Sequence, residues 1–296
     1  SFGTPITPNP MTKLASEFHI VFDRTESRDA FFRFLQVVFH LYPEDKFHHL
    51  IREVCGKHDN DEAIYREVQR RLPEITPFLS VLTYGLPALR TQKKEMARET
   101  LELLGDRKPV RGYLEIGSTG RYVSELRKHL TFEGPIYLIN DIAPSNSPGD
   151  ILERGQLSKL GRFMPLNNYQ PISAADIPDA SLDMATIYIG FHHCPLPQLP
   201  AFIDSIHRTL RPGGTLIVRD HDVRSPEMAT FVSLVHTVFN LGLDATWEVD
   251  AGDFKGFRPI KEWADLLATH GFTQSGKALF QPNDPSDNAL IRLIKN

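Results

Sequence analysis

Cysteine is nearly missing from this chain: Cys55 and Cys194 are the only two in 296 residues. That excludes a disulfide framework and a four-ligand zinc site built on thiolates. It also points to a reducing compartment, so the cytoplasm is the expected location. Long apolar runs are missing too. No window reaches the roughly 18 to 20 consecutive apolar residues of a membrane span, and the opening "SFGTPITPNP" has neither a basic start nor an apolar export segment. Positive charge is in short supply: 33 Lys and Arg face 37 Asp and Glu, for a formal net charge of −4. A chain that gained its affinity by neutralising phosphates would carry a clustered basic surface, so neither nucleic acid nor membrane is an expected partner. There is no internal repeat and no low-complexity segment.

What remains is an ordinary globular composition, 41% hydrophobic and 24% charged, in a chain long enough for one large domain or two modest ones. Its texture changes near residue 108. From Ser27 to Leu104 apolar residues recur at helical spacing: Phe31, Phe34, Leu35, Val38 and Phe39, then Phe47, Leu50, Ile51 and Val54, then Ile64, Val68 and Leu72. Pro43, Gly56, Pro73, Pro77 and Pro87 cut this stretch into short helices, and Gly105 ends a charged one. The pattern predicts an all-helical N-terminal region over 1–108, with the phenylalanine-rich face of Phe31 to Phe39 as core.

Beyond "DRKPV" short β-branched runs alternate with helical segments, the pattern of an α/β domain over 109–296 with a mainly parallel sheet. The expected strands are Arg111 to Ile116, Ile136 to Asn140, a weak one at Tyr169 to Ser173, Asp183 to Ile189, Thr215 to Arg219, Lys277 to Gln281 and Ala289 to Ile294. Only "PNDPSD" separates the last two, too little for a crossover helix, so they should pair antiparallel.

The first strand runs into "YLEIGSTGRYVSEL". Gly117 and Gly120 let the backbone pass close to a ligand, and the N–H groups that start the next helix are open to it; an ordinary tight turn reads the same way. The third glycine of G-x-G-x-x-G is absent, which counts against a nicotinamide dinucleotide. About twenty residues on, "YLINDIAPS" puts Asp141 at the carboxyl edge of the second strand, where it can accept both hydroxyls of a ribose or cap a turn. Together the two features point to an adenosine-containing cofactor.

Two further stretches are "AADIPDASLDMATIYIGFHHCP" and "LPAFIDSIHRTLRPGGTLIVRDHDV". Here the chain resembles the class I S-adenosylmethionine-dependent methyltransferases, especially the small-molecule branch. Its members show a "PDASFD" turn, a fourth strand ending near "LHHC" and an "LRPGGxL" segment before strand five. The resemblance covers roughly Arg111 to Asn296 and implies a Rossmann-like sheet of seven mainly parallel strands with one antiparallel strand. It implies that Glu115, Gly117, Ser118 and Gly120 surround the methionine part of S-adenosylmethionine. Asp141 would hold the ribose, Ile142 would lie against the adenine, and Asp176 or Ile177 would meet the adenine edge. Tyr188 to His192 would line the side where the methyl group faces its acceptor. Thr119 stands where the family usually has a glycine, so the turn is altered.

In that arrangement strands four and five are neighbours, which brings "GFHHCP" beside "RDHDV" and makes one constellation of His192, His193, Asp220, His221 and Asp222. Three readings stay open. His221 or His193 is a general base steadied by an aspartate. Two histidines and one or two aspartates bind a divalent metal. Or the cluster is structural, with Asp220 as a cap or a partner of Arg219. His48, His49, His207, His236 and His270 read as surface or packing residues, and Trp247, Phe254 and Phe257 as either a cover of the acceptor pocket or a packed loop. The helical region is expected to be a lid, a wall of the acceptor pocket or a homodimer surface. The resulting expectation is methyl transfer to oxygen or nitrogen, rather than carbon, of a small molecule or peptide. The alternative is a protein of the same fold that performs no methyl transfer.

Overall fold

The computed structural model describes residues 3–8, 16–77, 86–141, 154, 156 and 158–296. The helical half runs α1 (Glu17–Phe22), α2 (Thr25–Val37), α3 (Glu44–Cys55), α4 (Asp61–Arg71), a single 3-10 turn (Leu72–Glu74) and α5 (Leu86–Leu104). Starts are set by side chains: Ser16 Oγ accepts the N–H of His19, Asn60 accepts that of Ala63, and Glu44, Asp45, Asp61 and Glu62 place negative charge at helix N-termini. Phe31, Phe34, Phe47, Ile51, Val54, Ile64 and Val68 are buried, as the helical spacing predicts, and Tyr65 is buried with them. These faces do not close a core by themselves. They enclose Val232, Leu234, Val238 and Leu241 of α8 (Pro226–Gly242), the helix that follows the fifth strand. The C-terminal carbonyls of that helix are taken by the helical half, with Tyr42 Oη donating to Gly242 O at 2.9 Å and Gln69 to Leu241 O at 3.3 Å. Each large apolar side chain buried here contributes about 1.5–3 kcal/mol, so the two halves share one hydrophobic core.

The second half contains β1 (Val110–Ile116), α6 (Arg121–Leu126), β2 (Phe132–Asn140), β3 (Arg162–Pro165), β4 (Leu182–Ile187), α7 (Leu199–Thr209), β5 (Leu210–His221), α8, α9 (Trp247–Ala251), α10 (Ile260–Thr269), β6 (Phe272–Phe280) and β7 (Asn288–Lys295). The sheet order is β3-β2-β1-β4-β5-β7-β6. β7 lies antiparallel between β5 and β6, and the other pairs are parallel. The central strands are apolar on both faces because both are covered. Leu216 and Val218 of β5 meet α7 and α10 on one side, while Ile217 meets α5 and α6 on the other. Chain order reverses between β1 and β4, which sets a crevice at the carboxyl ends of these strands.

β2 begins at Phe132 rather than Ile136, and three further strands depart from the pattern read in the sequence. The third is not Tyr169 to Ser173 but the four residues of β3, because Asn167, Asn168 and Tyr169 adopt left-handed φ values of 49°, 52° and 61°, which a pleated strand cannot hold. β6 starts earlier than expected and carries an irregularity between Ser275 and Leu279 at Gly276, whose φ is +78°. β5 keeps its polar end inside the sheet, since Asp220 and His221 pair with Ala289 and Asn288 of β7. Among the described residues no helix is long and apolar enough to cross a membrane.

Candidate active site

At the end of β1, Glu115 is fully buried. It accepts from Tyr113 Oη at 2.7 Å, from the Ser118 hydroxyl, and from the N–H groups of Val123 at 2.9 Å and Tyr122 at 3.3 Å. Burial pushes its carboxyl above the ordinary range, and these donors oppose that rise. The helix N–H groups expected to face a ligand are therefore spent on Glu115. Gly117 and Gly120 have φ of +93° and +111°, and a Cβ at either would lie 2.6 or 2.7 Å from the side chains of Ile189 or Leu160. Only glycine serves at both positions. Gly117 N–H donates to Ile139 O at 2.7 Å, which ties the turn to the end of β2. Ser118 and Thr119 are buried within it.

Asp141 stands one residue past β2 and is exposed beside this turn. Ile142 lies outside the described residues. Asp176 is exposed on the rim of a cleft of about 110 Å³ that Ile139, Met164, Leu166 and Phe202 also line, whereas Ile177 is wholly buried in the core below. Tyr188 turns beneath α5: it is 2% exposed, its hydroxyl bonds that of Thr100 at 2.8 Å, and its ring lies 4.3 Å from that of Tyr122. The N–H groups of Gly117, Gly120, Tyr122 and Val123 are bonded within the protein, and beside them the exposed carboxylate of Asp141 suits a ligand bearing a diol and a cationic group, as S-adenosylmethionine does. This arrangement does not fit a pyrophosphate, which needs those donors. A hollow of about 440 Å³ on α3 and α4, lined by ion-paired residues such as Glu53 and Arg71, lies away from the strand ends.

The second group of polar residues sits at the ends of β4 and β5. Asp220, 2% exposed, accepts from Phe191 N–H at 3.0 Å, from His221 N–H at 2.8 Å and from His192 Nδ1 at 2.8 Å. Burial would raise its carboxyl, but His192, His221 and these bonds hold it below the usual range. Gly190, with φ of +74°, is the residue that permits this, since a Cβ there would lie 2.4 Å from the Asp220 carboxylate. Burial lowers His192 despite the pull of Asp220; with Nδ1–H donating to Asp220, Nε2 is buried and has no hydrogen-bond partner among the described residues. His193 Nδ1–H donates to Asp253 Oδ1 at 3.0 Å and Phe254 O at 3.2 Å. Burial, reinforced by His192, pushes His221 down to about 4. Its Nδ1–H donates to Ser286 O at 2.8 Å, and its Nε2 lies 3.1 Å from Nε2 of His236 on α8. Burial and the neighbouring histidines hold His236 well below its ordinary range. The Phe257 ring lies 5.6, 6.2 and 5.8 Å from those of His192, His221 and His236 and walls this group with apolar surface.

The fold thus brings together His192, His193, Asp220 and His221. Asp222 is engaged elsewhere. Its Oδ1 accepts the N–H of Ile260, the first residue of α10, and its Oδ2 pairs with Arg224 at 3.1 Å. Trp247 packs on Tyr65 in the helical core, while Phe254 is 39% exposed at the mouth of the cluster. Two members escape a reading by strand order, His236 and Asp253. A histidine inside the otherwise apolar "FVSLVHTVF" is the one signal of the first, and nothing local marks the second.

Residues 114–218 match a family model described as a methyltransferase domain. No curated protein matches the chain. Among solved structures, it is similar to 1,6-didemethyltoxoflavin-N1-methyltransferase from Burkholderia thailandensis, solved with 1,6-didemethyltoxoflavin and S-adenosylhomocysteine, at 15% identity over 69% of this chain and 78% of that one, TM-score 0.46. It is similar to the N-methyltransferase NodS from Bradyrhizobium japonicum WM9 in complex with S-adenosylhomocysteine, at 18% identity over 68% and 86%, TM-score 0.42. A third is an O-methyltransferase family protein from Burkholderia thailandensis, at 13% identity over 72% and 58%, TM-score 0.49. At such low identity none of these likenesses bears on the acceptor. The matched span holds the glycine turn, Asp141, His192 and His193, and it ends before Asp220, His221, His236 and Asp253.

Proposed function

We propose that this chain, a class I S-adenosylmethionine-dependent methyltransferase, moves the methyl group to an oxygen or nitrogen of a small molecule or peptide held at the carboxyl ends of β4 and β5. The observation that carries this reading is the buried His/Asp cluster beside the glycine turn. Ile189, three residues before His192, packs directly on Gly117 and links the two.

S-adenosylmethionine supplies a methyl group already activated on a sulfonium. Asp141 holds the ribose hydroxyls, and the turn from Gly117 to Gly120, including Ser118, lies along the methionine portion. Glu115 and Tyr188 act from beneath, fixing the turn and its backing rather than touching the ligand. Asp176 borders the adenine side, with Ile177 as core support. Holding acceptor and methyl group in line provides the largest share of the acceleration, on the order of 7–11 kcal/mol in well-oriented systems. The His/Asp cluster assists the acceptor in giving up its proton as the new bond forms, an assistance of about 10²- to 10⁴-fold.

The helical half and the N-terminal strap wall the acceptor side. Ile6 bridges Phe257 in an antiparallel pair, and Gly3 O accepts from Arg258, so residues 3–6 cross the loop that carries Asp253 and Phe257.

Thermal unfolding with and without S-adenosylmethionine or S-adenosylhomocysteine tests cofactor binding, since a ligand at about 100 times its Kd adds roughly 2.7 kcal/mol. The native chain should show the shift and Asp141→Ala should lose it. Transfer of labelled methyl to a panel of phenols, amines and peptides then tests the acceptor class. Absence of any shift at saturating cofactor overturns the reading.

A further inference from the structure

We propose that His192, His193 and His236 form a binding site for one divalent transition-metal ion, with zinc the best match to the donor set. The role given to the ion rests on the reading of this face as the acceptor side; the binding itself does not.

The three rings come from two separate elements, the loop after β4 and helix α8, yet each offers a nitrogen within 4.8 Å of the others'. Hydrogen bonds prepare them for ligation. Asp220 takes the Nδ1–H of His192 and Asp253 takes that of His193, which leaves both Nε2 lone pairs uncommitted. A carboxylate on the far nitrogen of a ligating histidine is the usual device for fixing the tautomer and raising its basicity. His221 fixes the His236 ring through their 3.1 Å contact while its own Nδ1–H is anchored to Ser286 O.

The second, independent observation is Nε2 of His192. The residue is 4% exposed, and this nitrogen has no hydrogen-bond partner among the described residues. A bare acceptor in a buried place is unfavourable, and a metal ion removes that penalty. Asp220 and Asp253 also bring two negative charges to offset a divalent cation. Thiols do not contribute: Cys194 is buried, and its Sγ is directed to Pro195 O.

Nitrogen donors without thiolate suit zinc, cobalt, nickel and copper over magnesium or calcium. Three protein ligands leave a coordination position open, as in catalytic rather than structural zinc sites. An acceptor oxygen or nitrogen at that position gives up its proton more readily. The proton passes to solvent, the lone pair forms the bond to carbon, and the carbon–sulfur bond breaks to leave S-adenosylhomocysteine.

The test is titration of the whole chain, stripped with EDTA, by calorimetry with Zn²⁺, and by visible absorption with Co²⁺, whose d–d bands report nitrogen ligation. One ion per chain is expected. His193→Ala and His236→Gln should weaken binding by 100-fold or more and lose the Co²⁺ bands, and Asp253→Asn should weaken it by about 10- to 100-fold. His49→Ala, on the far helical half, should bind like the native chain. Each variant is checked for folding by its thermal shift with S-adenosylmethionine, which does not depend on the metal. Failure of the native chain to bind a stoichiometric ion, or native affinity in both histidine variants, overturns the site. Methyl transfer that survives EDTA in such a chain leaves the function standing, whereas stoichiometric zinc with no cofactor shift keeps the site and overturns the function.

Discussion

Two strand ends of this sheet each bury an acidic side chain, and they use it in opposite ways. Glu115 at the end of β1 spends itself on its own surroundings: two hydroxyls and two helix N–H groups converge on it. Asp220 at the end of β5 binds two backbone N–H groups and one imidazole, and that imidazole leaves a buried nitrogen over. A closed set of partners makes a scaffold, and a set with one member to spare makes a site. On the proposed function, the contrast separates a turn that shapes the cofactor side from a cluster that faces the acceptor.

The sharpest way to break the contrast is Glu115→Ala. It strands two hydroxyls and two helix N–H groups in a fully buried place, so the loss should reach about 4 kcal/mol or more. Chemical denaturation should show the midpoint falling steeply, and the cofactor shift should vanish with the turn. If Glu115→Ala keeps native stability, the carboxylate is not the organiser of the turn.

The sequence makes the contrast only half visible. β1, β4 and the apolar part of β5 are legible because strands covered on both faces read as continuous apolar runs. β3 is not, since "RFMP" is four residues long and carries no β-branched signal. The polar end of β5 looks in sequence like a chain leaving the core, and it stays in the sheet because β7 supplies partners that no local pattern announces. His192, His193, Asp220 and His221 can be grouped, together with Asp222, once the family resemblance makes strands four and five neighbours. His236 and Asp253 reach the same place from a helix and a loop far along the chain, and only tertiary packing reveals that.

A smaller effect tests a third buried acid, Glu99 on α5, which is 2% exposed and has one oxygen with no hydrogen-bond partner among the described residues. Burial, with Glu95 and Glu102 adding to it and Arg219 and Arg98 opposing, pushes it up to about 7. A carboxyl raised above its unfolded value favours the folded state while protonated, so its contribution is present at low pH and is lost as pH rises from the ordinary carboxylate range through about 7. Stability should therefore fall by about 2 kcal/mol between pH 5 and pH 8 on account of this group, and Glu99→Gln should flatten that slope. Unfolding midpoints across this range decide it, and an unchanged slope in the variant places the titration elsewhere.

The least disruptive pair bears most directly on the cluster. Asp222 follows His221 in sequence and Asp253 bonds His193, but one serves the fold and the other a ring. Asp222→Ala removes the acceptor of the Ile260 N–H at the start of α10 and a half-exposed pair with Arg224, so it should cost about 1 kcal/mol of stability while turnover per folded molecule holds. Asp253→Asn keeps the shape of the side chain and can still accept from His193, yet it removes the charge that burial works against and that His193 steadies. It should leave the unfolding midpoint nearly where it was and lower kcat about tenfold or more, with little change in the KM for S-adenosylmethionine. The two readouts move in opposite senses only if the difference between the aspartates is one of function. Equal losses of stability, with kcat unmoved in both, would make Asp253 a second structural aspartate and narrow the working cluster to the side of His192 and Asp220.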